Sequence, residues 1–264
     1  YEVLIMAEAA ARDVAFRNKE IDTSILGPAQ YVAYREDAQL SKGILEVAEM
    51  FTRAITFNHD VKPFDDKRVR QALAYSFDIS TLIKHKSRGM ATPARNLLAD
   101  ANYYANLNIP VKERDLEKAR RLLDEAGYFN GKNGKPPLRV TLKTSSGVVA
   151  VENARVLAAQ AKEAGIIIEH KPYDWGIFYA DVKSSNVELY MLRYVGITDP
   201  RTYFESFHSG EIGRNNRSRY KNPELDKLIE AGESTLDRTE RKKYYDRVQA
   251  IIAEDLPFIS LWYP

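Results

Sequence analysis

Four histidines, at positions 59, 85, 170 and 208, are the first residues to test for chemistry, because imidazole binds metals and moves protons near neutral pH. No two stand at metal-ligand spacing and no His-Glu-x-x-His pattern occurs, so scattered structural or solvated roles are the expectation. The carboxylate pair Asp65-Asp66 suits a helix cap and Glu254-Asp255 a solvated helix end, rather than acid–base work. Gly131-Lys132-Asn133-Gly134-Lys135-Pro136 lacks the spacing and the hydroxyl residue of a phosphate loop, and its proline removes a backbone donor. Ser145-Ser146-Gly147 is not the Gly-x-Ser-x-Gly turn that presents a nucleophile. With no cysteine, thiolate catalysis, thiolate metal sites and disulfides drop out together. The residues point to no catalysis, no metal and no cofactor.

One basic stretch, Arg214 to Lys221, carries an aromatic among its charges. Three roles suit it: a nucleic-acid loop, a polar surface loop, or a loop that orders over a ligand. The near balance of 39 basic against 37 acidic residues, a net charge of +2, weighs against the first, and no nucleic-acid partner is expected. Hydrophobic content of 44% with 29% charged residues suits a folded globule, and the apolar runs fall short of a membrane span. Residues 1–6 are apolar with no basic segment before them, which reads as a strand entered mid-fold and not as a signal peptide. The expectation is a chain taken from something longer.

The elements that must position any site alternate between strand and helix, which makes the class α/β. Strands are expected at Tyr1–Met6, Ile21–Leu26, Ile44–Met50, Arg53–Asn58, Leu138–Leu142, Ile166–Ile168, Val187–Val195 and Phe258–Tyr263. Helices are expected at Ala7–Lys19, after Asp65 or Asp66, after Asp115 with Gly127 as its stop, and at Val151–Ala164, Trp175–Ser184 and Pro200–His208. Two more, Pro223–Glu233 and Arg238–Glu254, close the chain, and Ser87–Pro110 reads as loop.

Three ordered stretches bring a family into view. Ile55-Thr56-Phe57-Asn58 precedes Pro63-Phe64-Asp65-Asp66-Lys67-Arg68-Val69-Arg70-Gln71-Ala72-Leu73; Asp115–Gly127 forms the second; Arg219-Tyr220-Lys221-Asn222-Pro223-Glu224 through Glu254-Asp255-Leu256-Pro257 forms the third. Together they resemble the extracytoplasmic solute-binding proteins of ABC importers, oligopeptide/dipeptide/nickel-binding type, over their C-terminal half. The segment Arg12–Asp22 fits too, although Asn18-Lys19 replaces the usual glycine. The resemblance implies a two-lobed α/β architecture with the solute enclosed between lobes. On it, residues 1–60 are a partial lobe I ending in a hinge strand, 61–257 are lobe II, and 258–264 return to lobe I. It also implies a small, oligopeptide-like solute, delivery to ABC permease membrane subunits, a monomeric protein, and a periplasmic or membrane-anchored extracytoplasmic location.

The same resemblance assigns ligand contacts by position. Phe57 and Asn58 fall on the first crossover; Thr144 and Ser145 follow a strand near the cleft loops; Tyr173 and Trp175 match an aromatic stretch before a cleft helix. Arg193, Tyr194, Gly196 and Asp199 match the strand-end loop that carries tryptophan and an amine-binding aspartate in peptide binders. Here Tyr194 replaces the tryptophan, Ile197 stands at the aspartate position, and Asp199 matches a structural Asp-Pro pair. Losing that carboxylate removes the charge-assisted anchor for a free amine. Core packing rivals ligand contact for Trp175 and Trp262. Two other implications stand beside peptide transport: the ligand-sensing domain of a transcriptional regulator, and a binder of metal complexes or haem.

Overall fold

The computed structural model describes residues 2–6 and 8–264. Its strands are β1 (Thr52–Phe57), β2 (Thr92–Pro93), β3 (Leu138–Ser145), β4 (Ile166–Tyr173), β5 (Leu189–Tyr194) and β6 (Phe258–Tyr263). They form one sheet in the order β2-β6-β1-β5-β3-β4. β1 is antiparallel to β5 and β6, whereas β3 is parallel to β4 and β5. The carboxyl ends of β3, β4 and β5 therefore lie together at one end of the sheet, beside the amino end of β1.

Period-2 alternation decides which side chains meet which helices. Ile55 and Phe57, Leu189 and Met191, and Leu138, Val140 and Leu142 share one face. That face is covered by α3 (Lys67–Ser76), α5 (Leu116–Glu125) and α6 (Val148–Glu163). On the other face Ala54 and Phe258 meet α8 (Arg201–Phe207), α9 (Pro223–Ser234) and α10 (Arg238–Asp255), through Phe207, Ile229 and Val248 among others. Tyr190 packs beside them with Phe178 and Val182 of α7 (Trp175–Lys183). The result is three layers with a two-sided core, as an α/β chain requires. The short α4 (Ile79–Leu82) and two N-terminal helices, α1 (Ala9–Arg17) and α2 (Pro28–Glu36), complete the set among the described residues.

The capping residues act as their types predict. Asp66, not Asp65, accepts the Arg68 amide at 2.8 Å to start α3, and Asp115 accepts the Lys118 amide to start α5. Gly127, at φ +90°, ends α5 in the left-handed conformation that glycine alone adopts freely. On its outward face α3 caps other helices: Arg68 donates to the Glu125 carbonyl at 2.7 Å, and Gln71 to the Glu254 carbonyl at 3.2 Å.

Several expected elements differ. Residues 21–26 and 44–50 are not strands, and neither are residues 2–6 (Tyr1 and Ala7 lie outside the described residues). A strand persists only when a neighbour satisfies its backbone, and among the described residues no ladder reaches these segments. Their apolar side chains Val3, Ile5, Ile25, Leu45 and Val47 stand exposed instead. Residues 87–110 are mostly loop but include β2, α6 begins earlier than expected, at Val148, and β4 extends to Tyr173.

Close packing yields one prediction. A Cβ on Gly232 of α9 would stand 2.8 Å from Tyr245 Cε2, and Tyr245 is wholly buried in α10. Gly232→Ala should therefore destabilise the fold by about 1–3 kcal/mol, overriding the gain in helix propensity. Urea unfolding reads this; a stabilised variant would contradict it.

Candidate functional site

In open α/β sheets ligands gather outside the carboxyl ends of the strands, where loops and helix starts converge. Here that end is formed by Ser145, Tyr173 and Tyr194, and the N-termini of α6 and α7 follow directly from β3 and β4. The Ser146 amide donates to the Tyr173 carbonyl at 2.7 Å and fixes the two loops to each other.

On the α7 side of this end sits an aromatic and cationic group. Trp175, the first residue of α7, is 55% exposed and stacks on Tyr179, with ring centroids 5.3 Å apart and planes 12° from parallel. The i,i+4 spacing of one helical turn puts the two rings together. Arg217 donates from its terminal nitrogen to the Tyr179 hydroxyl at 2.9 Å, and its guanidinium carbon lies 5.0 Å from that ring. Its Nε is buried without a hydrogen-bond partner. From this end the Tyr194 side chain reaches back along the α7-side face to Thr56, with the two hydroxyls 3.2 Å apart; Thr56 and its cross-strand partner Tyr190 lie towards the other end of the sheet. Burial raises both phenols above their ordinary pKa, so they stay protonated and available as donors.

The residues singled out by resemblance do not all converge. Thr144, Ser145, Tyr173, Trp175, Arg193, Tyr194 and Gly196 lie at or near the carboxyl end. Phe57 and Asn58 lie at the opposite end, because Phe57 pairs with Leu189 while Thr52 pairs with Tyr194. Five strand steps separate those ends by about 17 Å. Phe57 is wholly buried against Phe64, and the Asn58 amide donates to the Ser185 and Val187 carbonyls at 3.0 Å. Thr144 is buried too, its hydroxyl 2.8 Å from His170 Nε2. Tyr173 faces Lys143 Nζ at 5.4 Å, and that lysine is held by Asp181 at 2.8 Å. Asp199 is taken by Arg241, which donates to its two oxygens at 3.1 and 3.2 Å. Ile197 is 2% exposed in the α8–α10 core, so no carboxylate from that position reaches the site.

Sequence reasoning missed Thr56, Tyr179 and Tyr190, which are ordinary alternating or helical residues in the one-dimensional pattern. Arg217 belongs to the basic stretch already noted. Of its neighbours, Arg214 pairs with Glu211, and Arg219 and Lys221 with Asp60. Those three cations are paired with carboxylates of the same chain.

No group of three or more His, Asp or Glu that could hold a metal ion occurs among the described residues. His208 is 3.0 Å from Glu230 and His59 faces the Pro257 carbonyl at 3.4 Å. Burial, then the charge of Arg70, lowers the His59 imidazole from 6.5 to about 3. Between those limits the unfolded chain takes up a proton that the folded chain refuses. Stability is thus full above about pH 6.5 and falls as pH drops towards 3, by up to about 1.4 kcal/mol per pH unit from this group. His59→Gln should flatten that part of the pH dependence in urea unfolding; an unchanged slope would place its origin elsewhere.

The model for bacterial extracellular solute-binding proteins, family 5 middle region, matches residues 2–215. The oligopeptide-binding protein AppA of Bacillus subtilis is 31% identical over 223 residues, which cover 80% of this chain and 41% of AppA. Heme-binding protein A of Haemophilus influenzae is 28% identical over 220 residues, covering 83% of this chain and 40% of that protein. The structure of B. subtilis AppA in complex with a nonapeptide matches 98% of this chain and 53% of its own, with a TM-score of 0.83 at 25% identity. The chain thus spans about half the length of the relatives it matches. That family consists of solute-binding proteins rather than enzymes, found in the periplasm or otherwise outside the cytoplasm. The chain belongs to the bacterial extracellular solute-binding proteins of family 5.

Proposed function

We propose that this chain supplies one wall of an inter-lobe cleft that captures an oligopeptide-like solute for an ABC permease. The observation that carries the reading is the exposed Trp175–Tyr179 stack beside Arg217 at the carboxyl end of the sheet. A large exposed aromatic face is costly to leave in water unless something covers it. Support for a facing lobe comes from residues 2–50, whose apolar side chains Val3, Ile5, Ile25, Leu45 and Val47 have nothing packed over them among the described residues. Because β1 and β6 pair within the same sheet as β5, we set the lobe crossing before Thr52 and after Tyr263 rather than at residues 59–63. The absent amine anchor shifts recognition towards the aromatic faces, the tyrosine hydroxyls and the arginine.

Mass spectrometry of solute released from the natively purified intact protein tests this. Peptide-like molecules are the expected result. A tetrapyrrole or a metal chelate would overturn the solute class, and an intact protein that neither carries a solute nor binds short peptides by calorimetry would overturn capture. The 264-residue chain alone should bind the recovered solute at least tenfold more weakly than the intact protein, because one wall is missing; equal affinity would contradict the two-wall cleft.

A further inference from the structure

On the α6 side of the same end of the sheet, two arginines stand directly opposite one another across adjacent strands. Arg53 of β1 is the register partner of Arg193 of β5, and on its other side Arg53 pairs with Trp262 of β6. Like charges directly opposed across strands repel, and a fold tolerates them when a counter-charge is present. None is supplied here: among the described residues neither arginine has an ion pair or a side-chain hydrogen bond to any other residue. The Arg53 Nε is sealed from solvent with no partner at all. Burial, then the charge of Arg193, lowers the Arg53 pKa, with no carboxylate acting in the other direction. Arg70 also lies buried, but its guanidinium is filled by three backbone carbonyls, which the Arg53 guanidinium lacks. The Arg193 guanidinium rests 5.2 Å from the centre of the Phe51 ring, which holds it in place without neutralising it.

Alternation along β5 puts Arg193 on the same face as Leu189 and Met191, four and two residues earlier, and Arg53 on the face of Ile55. The pair thus crowns the α6-side core at the carboxyl end of the sheet, across from the Trp175 stack on the α7 side. We propose that Arg53 and Arg193 form a paired-guanidinium site for a carboxylate or phosphate group of the captured solute. The inference rests on the solute-capture reading and specifies the class of solute: one that bears an anionic group. Guanidinium forks match such planar or tetrahedral oxyanions through paired N–H donors, and the half-buried setting strengthens the contact.

The test uses the intact protein, dialysed free of solute, titrated at low salt with inorganic phosphate and with succinate by calorimetry. Saturable binding of at least one probe is expected, with Arg53→Met and Arg193→Met each weakening it at least tenfold. Arg139→Met, which removes an exposed arginine elsewhere on β3, should leave it within twofold. A preference for phosphate or for succinate distinguishes the two oxyanion sources. No binding of either probe, or binding that survives both substitutions, overturns the site; a carboxylate from the rest of the intact protein that already fills the pair would give the first of these results. Solute released from the native protein is identified in parallel by mass spectrometry. A recovered solute lacking an acidic group overturns the anion site while leaving capture intact, so the two failures are separable.

Discussion

Replacing Arg70 with methionine should cost about 3–5 kcal/mol of folding stability, because it strips the donors from a buried knot that ties two distant parts of the chain together. Arg70 is 5% exposed. Its Nε donates to the Asp255 and Leu256 carbonyls at 3.1 and 3.0 Å, one terminal nitrogen to Asp255 at 2.7 Å, and the other to Phe64 at 2.7 Å. Two of these acceptors are the orphan carbonyls at the C-terminal end of α10, where a positive charge also complements the negative end of the helix dipole. Leu256 takes a left-handed conformation at φ 49° as the chain turns from α10 into β6. Methionine fills similar volume, so the loss isolates the hydrogen bonds rather than a cavity. Arg70→Lys keeps a charge but only a single donor centre, and should lose about half as much. Urea unfolding followed by circular dichroism checks both; a loss below about 1 kcal/mol for Arg70→Met would show that the carbonyls find other donors.

That knot also explains why the fold could be read from the sequence where the site could not. The Asp66–Leu73 motif and the Glu254–Pro257 motif are 180 residues apart in the chain, yet they are the two halves of one capping contact. Lys67, Arg70 and Gln71 lie on one face of α3 at i, i+3 and i+4, and all three reach the end of α10. Asp66 begins the helix, and Val69, Ala72 and Leu73 face the core. Such residues are constrained by backbone geometry, which leaves a legible pattern of type and spacing. The third motif works likewise: the Tyr220 hydroxyl donates to Asp255, while Asn222 starts α9 by accepting the Glu224 and Leu225 amides.

The candidate site has no such local logic. Trp175 was legible as an aromatic at a helix start, but only its exposure shows that it lies outside the packed core. Thr56, Tyr190 and Tyr194 meet because β1 lies beside β5, a non-local pairing that no short spacing encodes. The same pairing sends Phe57 and Asn58 to the far end, one strand step beyond Thr56, since an antiparallel partner reverses which end of β1 lies beside the candidate site. The failed strands at 21–26 and 44–50 teach the complementary lesson. Alternation shows that a segment is able to form a strand, but only a neighbouring backbone makes it one.

Trp175→Ala should weaken capture of the native solute about thirtyfold, equivalent to about 2 kcal/mol, while leaving stability within about 1 kcal/mol. The ring is more than half exposed, so truncation removes little buried area from the core. What it removes is the outer leaf of the stack on Tyr179, the largest aromatic face at the carboxyl end. Trp175→Phe retains a face there and should bind within a few-fold. Phe57→Ala supplies the opposite pattern. That ring is wholly buried against Phe64, so its loss should cost about 3–5 kcal/mol of stability, with affinity per folded molecule unchanged. Calorimetry of the intact protein with solute recovered from it, paired with urea unfolding of each variant, separates the two. If Trp175→Ala bound as tightly as the parent and Phe57→Ala lost affinity without losing stability, the cleft would lie at the other end of β1. The carboxyl-end site would then be wrong in position, whatever the chemistry of its solute.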